Sequence, residues 1–165
     1  MRRIALVIFM VLLGVLVRTG PAAVASVSCH AITATGSGSG AAAQPGDPPN
    51  LVRTRAQLSD AGLLQGTTVA SFTITGPTST GVAFAGPLTV TANRATVTVA
   101  LTGTLDVSTG EFSATGPIVA STGKLSGAVG SLTLSGVQDL SDPAGGFTEV
   151  VTGSICVDLS GNGTS

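Results

Sequence analysis

The sequence predicts an all-β protein whose antiparallel strands follow one another along the chain. Thr, Val, Gly and Ser dominate after residue 25, whereas the helix formers Glu, Lys and Gln are scarce, and β-branched residues favour strands. From residue 67 onward apolar and polar side chains alternate, which is typical of a sheet with one buried and one wet face. Turn sequences separate these runs at close spacing, so we expect a sandwich or barrel, and the hairpin-length links favour up-and-down order.

Residues 1–25 have the three parts of a secretory signal peptide. Two arginines precede an uncharged apolar run at residues 4–17, and small residues at positions −3 and −1 predict cleavage before Ser26. The alternative is an uncleaved anchor, but the run is shorter than the roughly 20 residues of a spanning helix. We therefore expect a secreted chain, periplasmic or extracellular, in which residues 26–165 form one domain without stable membrane insertion.

The charge and the aromatic content of the mature part disfavour several partners. Its four cationic side chains stand against eight carboxylates, which gives a formal charge of −4. Nucleic-acid binding needs clustered Lys and Arg, so no nucleic-acid partner is expected. Sugars and single-stranded nucleic acids are usually stacked on aromatic faces, and the mature part has no Trp or Tyr. Its aromatic residues are Phe72, Phe84, Phe112 and Phe147.

Two cysteines, Cys29 and Cys156, lie near the two ends of the mature part. An even number of cysteines in an exported chain favours a disulfide, which is worth roughly 4–5 kcal/mol for so long a loop in the chain-entropy model. Two alternatives stay open at this point. They are a pair of buried free thiols, and lipidation of Cys29, although Ser26 stands where a lipoprotein signal has an aliphatic residue.

The first half of the mature part is only partly regular. Residues 26–35 are predicted as a short strand, and residues 36–50 as a Gly/Pro-rich surface loop or linker. Residues 51–66 show no clear period. Arg53 and Arg55 have the spacing of one strand face and are interpreted as solvated edge residues.

The second half alternates clearly between strands and turns. Strand patterns occupy residues 70–75, 88–92, 95–102 and 131–135, and a last strand is predicted at 147–159. Turn residues stand at 93–94, 108–110, 121–123, 126–127 and 142–146.

The register of the last strand points to one unusual residue. Parity places five apolar side chains on one face: Phe147, Val151, Ile155, Val157 and Leu159. Cys156 falls on the other face, whereas Glu149 falls on the apolar one. A carboxyl inside the fold would have a raised pKa and could bind or protonate a ligand. The alternative is a rim position that reaches water, or a register shifted by a bulge at residues 145–146.

Residues 112–136 (FSATGPIVASTGKLSGAVGSLTLSG) resemble the allene oxide cyclase and dirigent barrel superfamily. In that pattern a Gly-containing turn precedes a bulky residue and Gly-Ala-x-Gly. Residues 121–123, Leu125 and residues 127–130 match it, and Ser121 departs from the first turn glycine. The resemblance covers about residues 63–159. It implies an eight-stranded antiparallel up-and-down barrel with an apolar interior, often oligomeric, as in small exported bacterial members.

The resemblance does not carry a catalytic site to this chain, because fold analogy alone does not establish function. The polar pocket residues of plant cyclases and the paired aspartates of dirigent pockets have no match, and Asp139 and Asp142 look like solvated turn residues. His30 and Cys29 are strand neighbours that point apart, which disfavours a Cys/His nucleophile. No typical zinc site or phosphate loop is present, so no metal or cofactor is expected.

We therefore predict a non-catalytic exported barrel that is structural or binds a small apolar ligand in its lumen. An eight-stranded barrel encloses room for side chains or one small ligand. The candidate ligand-binding residues are Glu149, Phe72, Phe112 and Phe147. One alternative is a cyclase or isomerase acting on a lipid-like substrate, with Glu149 as its polar group. Another is an extracellular matrix or adhesion module that self-associates as a homo-oligomer.

Overall fold

A computed structural model describes residues 26–142 and 145–160. Eight strands form a closed barrel in which each strand is antiparallel to the next, and the last strand pairs with the first. The strands are β1 Ser28–Ala41, β2 Leu51–Ser59, β3 Gly66–Pro77, β4 Gly81–Ala92, β5 Ala95–Asp106, β6 Glu111–Gly123, β7 Val129–Gln138 and β8 Phe147–Val157. A short 3-10 helix, Gly62–Leu64, links β2 to β3.

The predicted all-β, eight-stranded up-and-down barrel is confirmed by this topology. The predicted signal peptide, residues 1–25, lies outside the described residues. Within the described ranges, no helix is long and apolar enough to cross a membrane.

Strand β1 is longer than predicted, because residues 36–41 of the expected loop belong to it. Gly36 pairs with Glu149 of β8, and Gly38 pairs with Phe147. A Cβ on Gly36 would lie 2.8 Å from Cγ of Glu149, and one on Gly38 would lie 2.6 Å from Cζ of Phe147. The glycines therefore leave lumen space for two large side chains, and the loop prediction was wrong for this segment. Residues 42–50 do lie outside the strands.

Strand β2 forms from residues whose sequence showed no clear period. Ala56 and Leu58 are buried in the barrel, whereas Arg53 and Arg55 belong to the opposite face. The barrel has no open edge here, so the interpretation of the arginines as edge residues was wrong. Nε of Arg53 lies 2.8 Å from Oδ2 of Asp47 in the preceding loop, and Nη1 donates to Oγ of Ser71.

One end of the barrel is filled by apolar side chains, and we call it the plugged end. Leu64 of the 3-10 helix and Leu125 and Ala128 of the β6–β7 turn are all buried in the main core. The backbone N–H of Ala128 donates to Oγ of Ser121 at 3.0 Å, which ties this turn to β6. Residues 121–123, predicted as a turn, are therefore the end of β6, and the turn itself follows them.

A disulfide joins the first and last strands near the plugged end. Cys29 and Cys156 are direct partners in the register between β1 and β8, and their sulfur atoms are bonded. The disulfide prediction is confirmed, and no described cysteine is free. Leu159 lies beyond the end of β8 and is exposed, so its predicted place on the apolar face was wrong.

Candidate functional site

The opposite end of the barrel, which we call the mouth, contains a cavity of about 100 Å³. The mouth is formed by the loops that follow β1, β3, β5 and β7. The cavity wall is apolar except for four side chains, those of Thr54, Thr68, Gln138 and Glu149. Such a wall is typical of ligand sites, in which a few polar groups fix the orientation of a mainly apolar molecule.

Four phenyl rings line the cavity in two pairs. The ring centroids of Phe72 and Phe84 lie 4.9 Å apart, and those of Phe112 and Phe147 lie 6.1 Å apart in an edge-to-face arrangement. The cavity therefore brings together all of the predicted ligand-binding phenylalanines. Phe84 was not predicted, because glycines and a proline nearby conceal the alternation of β4.

Glu149 lies in this cavity, on the lumen side of β8. Its residue surface is 5% exposed, and Oε1 has no hydrogen-bond partner. The sequence-based register of β8 is therefore confirmed at this position, and the alternatives of a solvated rim residue and a shifted strand are wrong. A buried polar atom without a partner is costly, because its desolvation is not offset by a hydrogen bond.

The neighbouring strands make room for this carboxyl with glycine. Glu149 pairs with Gly36 on β1 and with Gly136 on β7. A Cβ on Gly36 would lie 2.8 Å from Oε1 of Glu149, and one on Gly136 would lie 2.6 Å from Cζ of Phe112. Side chains at these two positions would therefore displace the carboxyl or the ring beside it.

The surroundings of Glu149 favour its protonated form. Burial raises the pKa of this carboxyl from 4.5 to about 7, since desolvation penalises the charged form. The described residues that line the cavity include no Lys, Arg or His that would offset this penalty. Near neutral pH the carboxyl therefore exists in both forms, and it can donate a hydrogen bond as an acid or accept one as a carboxylate.

The other residues that were considered for chemistry do not meet at this site. His30 is near the start of β1, with Nε2 3.0 Å from Oγ of Ser28, and Cys29 is in the disulfide. Asp106 and Asp139 each accept hydrogen bonds from a serine two residues later, as turn residues do. Over the described residues, no group of His, Cys, Asp and Glu is arranged to hold a metal ion.

Comparisons with known proteins assign neither a family nor an activity to this chain. No protein-family model matches the chain, and no curated protein matches it. Among solved structures, the chain is similar to the Diels–Alderase AbmU from Streptomyces koyangensis, with a TM-score of 0.43 and 14% sequence identity. The match covers 84% of this chain and 73% of that one. Similarity at this level assigns no activity to the present barrel.

Proposed function

We propose that this protein binds a small, mainly apolar ligand in the mouth cavity, with Glu149 making its one polar contact. The observation that carries the proposal is the buried Oε1 atom, which faces an apolar cavity and has no partner within the protein. A ligand hydroxyl, carbonyl or ammonium group would satisfy this atom or its proton. Such a partner would remove the cost of leaving it unpaired.

The volume of the cavity limits the size of the ligand. An engineered apolar cavity of about 150 Å³ in another protein holds benzene. The present cavity of about 100 Å³ is smaller, so it holds at most one ring or a short branched chain. Larger lipid-like molecules would have to extend out of the mouth.

Titration calorimetry with benzyl alcohol tests this proposal, since the molecule combines one ring with one hydroxyl. We expect saturable binding with one molecule per barrel. The variant Ala114→Leu fills the lumen and should abolish it, whereas Ser113→Leu adds the same group to the outer face. Equal binding by both variants would show that the alcohol does not enter the lumen and would overturn the proposal.

The sequence resemblance and the disulfide support a proposal on the location and family of the protein. We propose that the barrel acts after export, as a small member of the allene oxide cyclase and dirigent group. A disulfide is compatible with an extracellular or periplasmic location, where such bonds persist. Intact mass measurement on protein from its native host tests cleavage, and a mass that retains residues 1–25 would contradict it.

A second candidate function is isomerisation by proton transfer. The pKa of Glu149, about 7, is favourable for this role, because a general acid or base works best when its pKa lies near the working pH. A base in an apolar cavity can remove a proton from the carbon beside a carbonyl and return it two carbons further along the chain. The bonds balance without a co-reactant.

The conversion of 3-cyclohexenone to its conjugated isomer tests this second function by ultraviolet absorbance. The substrate has one ring and so matches the cavity. If the barrel is an isomerase, the rate exceeds that of buffer and falls by roughly 10²-fold or more in Glu149→Gln, the usual contribution of a general base. A rate equal to buffer, or one unchanged by the substitution, would leave binding as the function.

A further inference from the structure

The two ends of the barrel differ in charge. Five carboxylates lie at the mouth or in its loops: Asp47, Asp106, Glu111, Asp139 and Asp142. At the plugged end, Arg94 and Lys124 in the β4–β5 and β6–β7 turns are balanced by Asp60 and Asp158, and Arg55 lies midway along β2. Arg53 is near the mouth but is paired with Asp47. The described mouth is therefore strongly negative.

Three of the mouth carboxylates, Asp47, Asp106 and Asp139, have lowered pKa values and so keep their charge over a wide pH range. The hydrogen bond from the side chain of Ser108 lowers the pKa of Asp106 to about 2, and the bond from Ser141 lowers that of Asp139. Arg53 lowers the pKa of Asp47 to about 2. A ring of fixed negative charge attracts cations to the opening and repels anions from it.

Inside the mouth, Glu149 is the one titratable group among the described residues that line the cavity. The adjacent strands β1 and β7 place Gly36 and Gly136 opposite it, and Leu58 of β2 lies next to Gly36; none of these residues titrates. A bound anion would have no counterion there. A bound cation would provide the charged partner that Oε1 lacks and would favour ionisation of the carboxyl.

The phenyl rings add a second attraction for a cation. Phe112 and Phe147 line the same cavity as the carboxyl, and Phe72 and Phe84 complete the wall. The faces of aromatic rings attract ammonium groups, and more strongly when water is excluded. An uncharged ligand would gain the apolar contacts alone.

We infer that the natural ligand is a small apolar amine, bound as its ammonium form, with the charged nitrogen against Glu149 and the apolar part among the phenyl rings. This inference specifies the ligand class of the lumen site, and it rests on the proposed binding function. It distinguishes the site from one for fatty acids, whose carboxylate would meet like charge at the mouth and in the cavity.

Three probes of nearly the same shape test the inference by titration calorimetry near pH 8: benzylammonium, benzyl alcohol and benzoate. We expect the ammonium to bind at least about tenfold more tightly than the alcohol, because only the ammonium pairs a positive charge with the carboxylate and is attracted by the phenyl rings. Benzoate should not bind measurably. Near pH 5 protonation of Glu149 should reduce the preference for the ammonium.

Two matched variants separate pairing in the cavity from attraction at the mouth. Glu149→Gln should remove the tenfold preference, because a neutral amide offers the ammonium no opposite charge while it can still hydrogen-bond the hydroxyl of benzyl alcohol. Glu111→Gln makes the same chemical change at an exposed mouth position and should retain the preference. Equal affinities for the ammonium and the alcohol, or a preference that survives Glu149→Gln, would overturn the inference while lumen binding stands. Failure of all three probes to bind would overturn lumen binding itself.

Discussion

Glu149 is a residue whose environment opposes its charge. In the unfolded chain its carboxyl ionises near pH 4.5, whereas in the barrel burial delays ionisation until about pH 7. Between these values the folded state holds a proton that the unfolded state has lost. Stability therefore falls as pH rises through this window, and the whole penalty is present above pH 7.

The first prediction concerns this penalty. The variant Glu149→Gln replaces the carboxyl by an amide of the same shape. Its free energy of unfolding minus that of the wild type should be about 3 kcal/mol larger near pH 8 than near pH 4.5, at about 1.4 kcal/mol per pKa unit. Urea unfolding of both proteins at the two pH values measures it. A difference between variant and wild type that does not change with pH would mean that Glu149 is solvated.

Gly36 is the residue that makes the position of Glu149 possible. The change Gly36→Ala would place a methyl group 2.8 Å from Oε1 and 2.9 Å from Cδ2 of Leu58. We expect a loss of about 1–3 kcal/mol, as for other overpacked cores, together with weaker binding of benzylammonium. Ser37→Ala, on the outer face of the same strand, is the control and should change neither unfolding nor binding. A stable Gly36→Ala protein that binds as well as the wild type would show that Glu149 does not need the space left by Gly36.

Much of this residue-level picture was accessible from parity alone. The alternation of β8 placed Glu149 on the lumen side because a strand has a strict period of two. Its glycine neighbours were not predictable, since Gly36 is remote in sequence and meets Glu149 only through the register of two strands. Residues 36–41 were interpreted as part of a loop for the same reason. Small residues that make room for side chains distant in sequence resemble those of a flexible segment.

At the level of elements, the β6–β7 turn closes the plugged end. Leu125 is almost fully buried although it belongs to a turn, and it belongs to the same core cluster as Leu64. The family resemblance marked this residue by its spacing, whereas periodicity did not, because a turn has no repeating pattern.

The change Leu125→Ala should therefore destabilise the barrel by about 2–5 kcal/mol, through lost burial and the cavity it leaves. Leu140→Ala removes the same atoms from a β7–β8 loop residue that is 47% exposed, and it should cost less than about 0.5 kcal/mol. Chemical unfolding compares the two. Similar losses for both leucines would show that the turn does not plug the barrel.

For the whole molecule, the disulfide and the hydrogen-bonded pairing of β1 with β8 join the same two strands, the first and the last. The bond spans 127 residues of sequence, so it restricts the unfolded chain strongly. Replacing both cysteines by serine should lower the free energy of unfolding by about 4–5 kcal/mol in the chain-entropy model. The folded topology should persist, since the ladder from Ser28 to Gly38 also holds the strands together. Unfolding curves test the loss of stability, and an unchanged midpoint would contradict it. Amide exchange of β1 tests whether the folded topology persists.

The closure of the barrel was predictable in part. Alternation and short turns indicated consecutive antiparallel strands, but they did not distinguish a sandwich from a barrel, and the number of strands came from the resemblance. Closure depends on pairing between the two ends of the domain, which no local pattern records. The cysteines at those ends were the one sequence feature that indicated it.

The meeting of β1 and β8 also sets the orientation of the protein toward anything attached to it. Both described chain ends leave the barrel at the plugged end, where Ser28 begins β1 and Val157 ends β8. A tag or a fused domain joined directly before Ser28 or after Val157 would therefore leave the barrel at the plugged end. Held in this way, the molecule points its acidic opening away from the attachment, so the candidate site stays accessible.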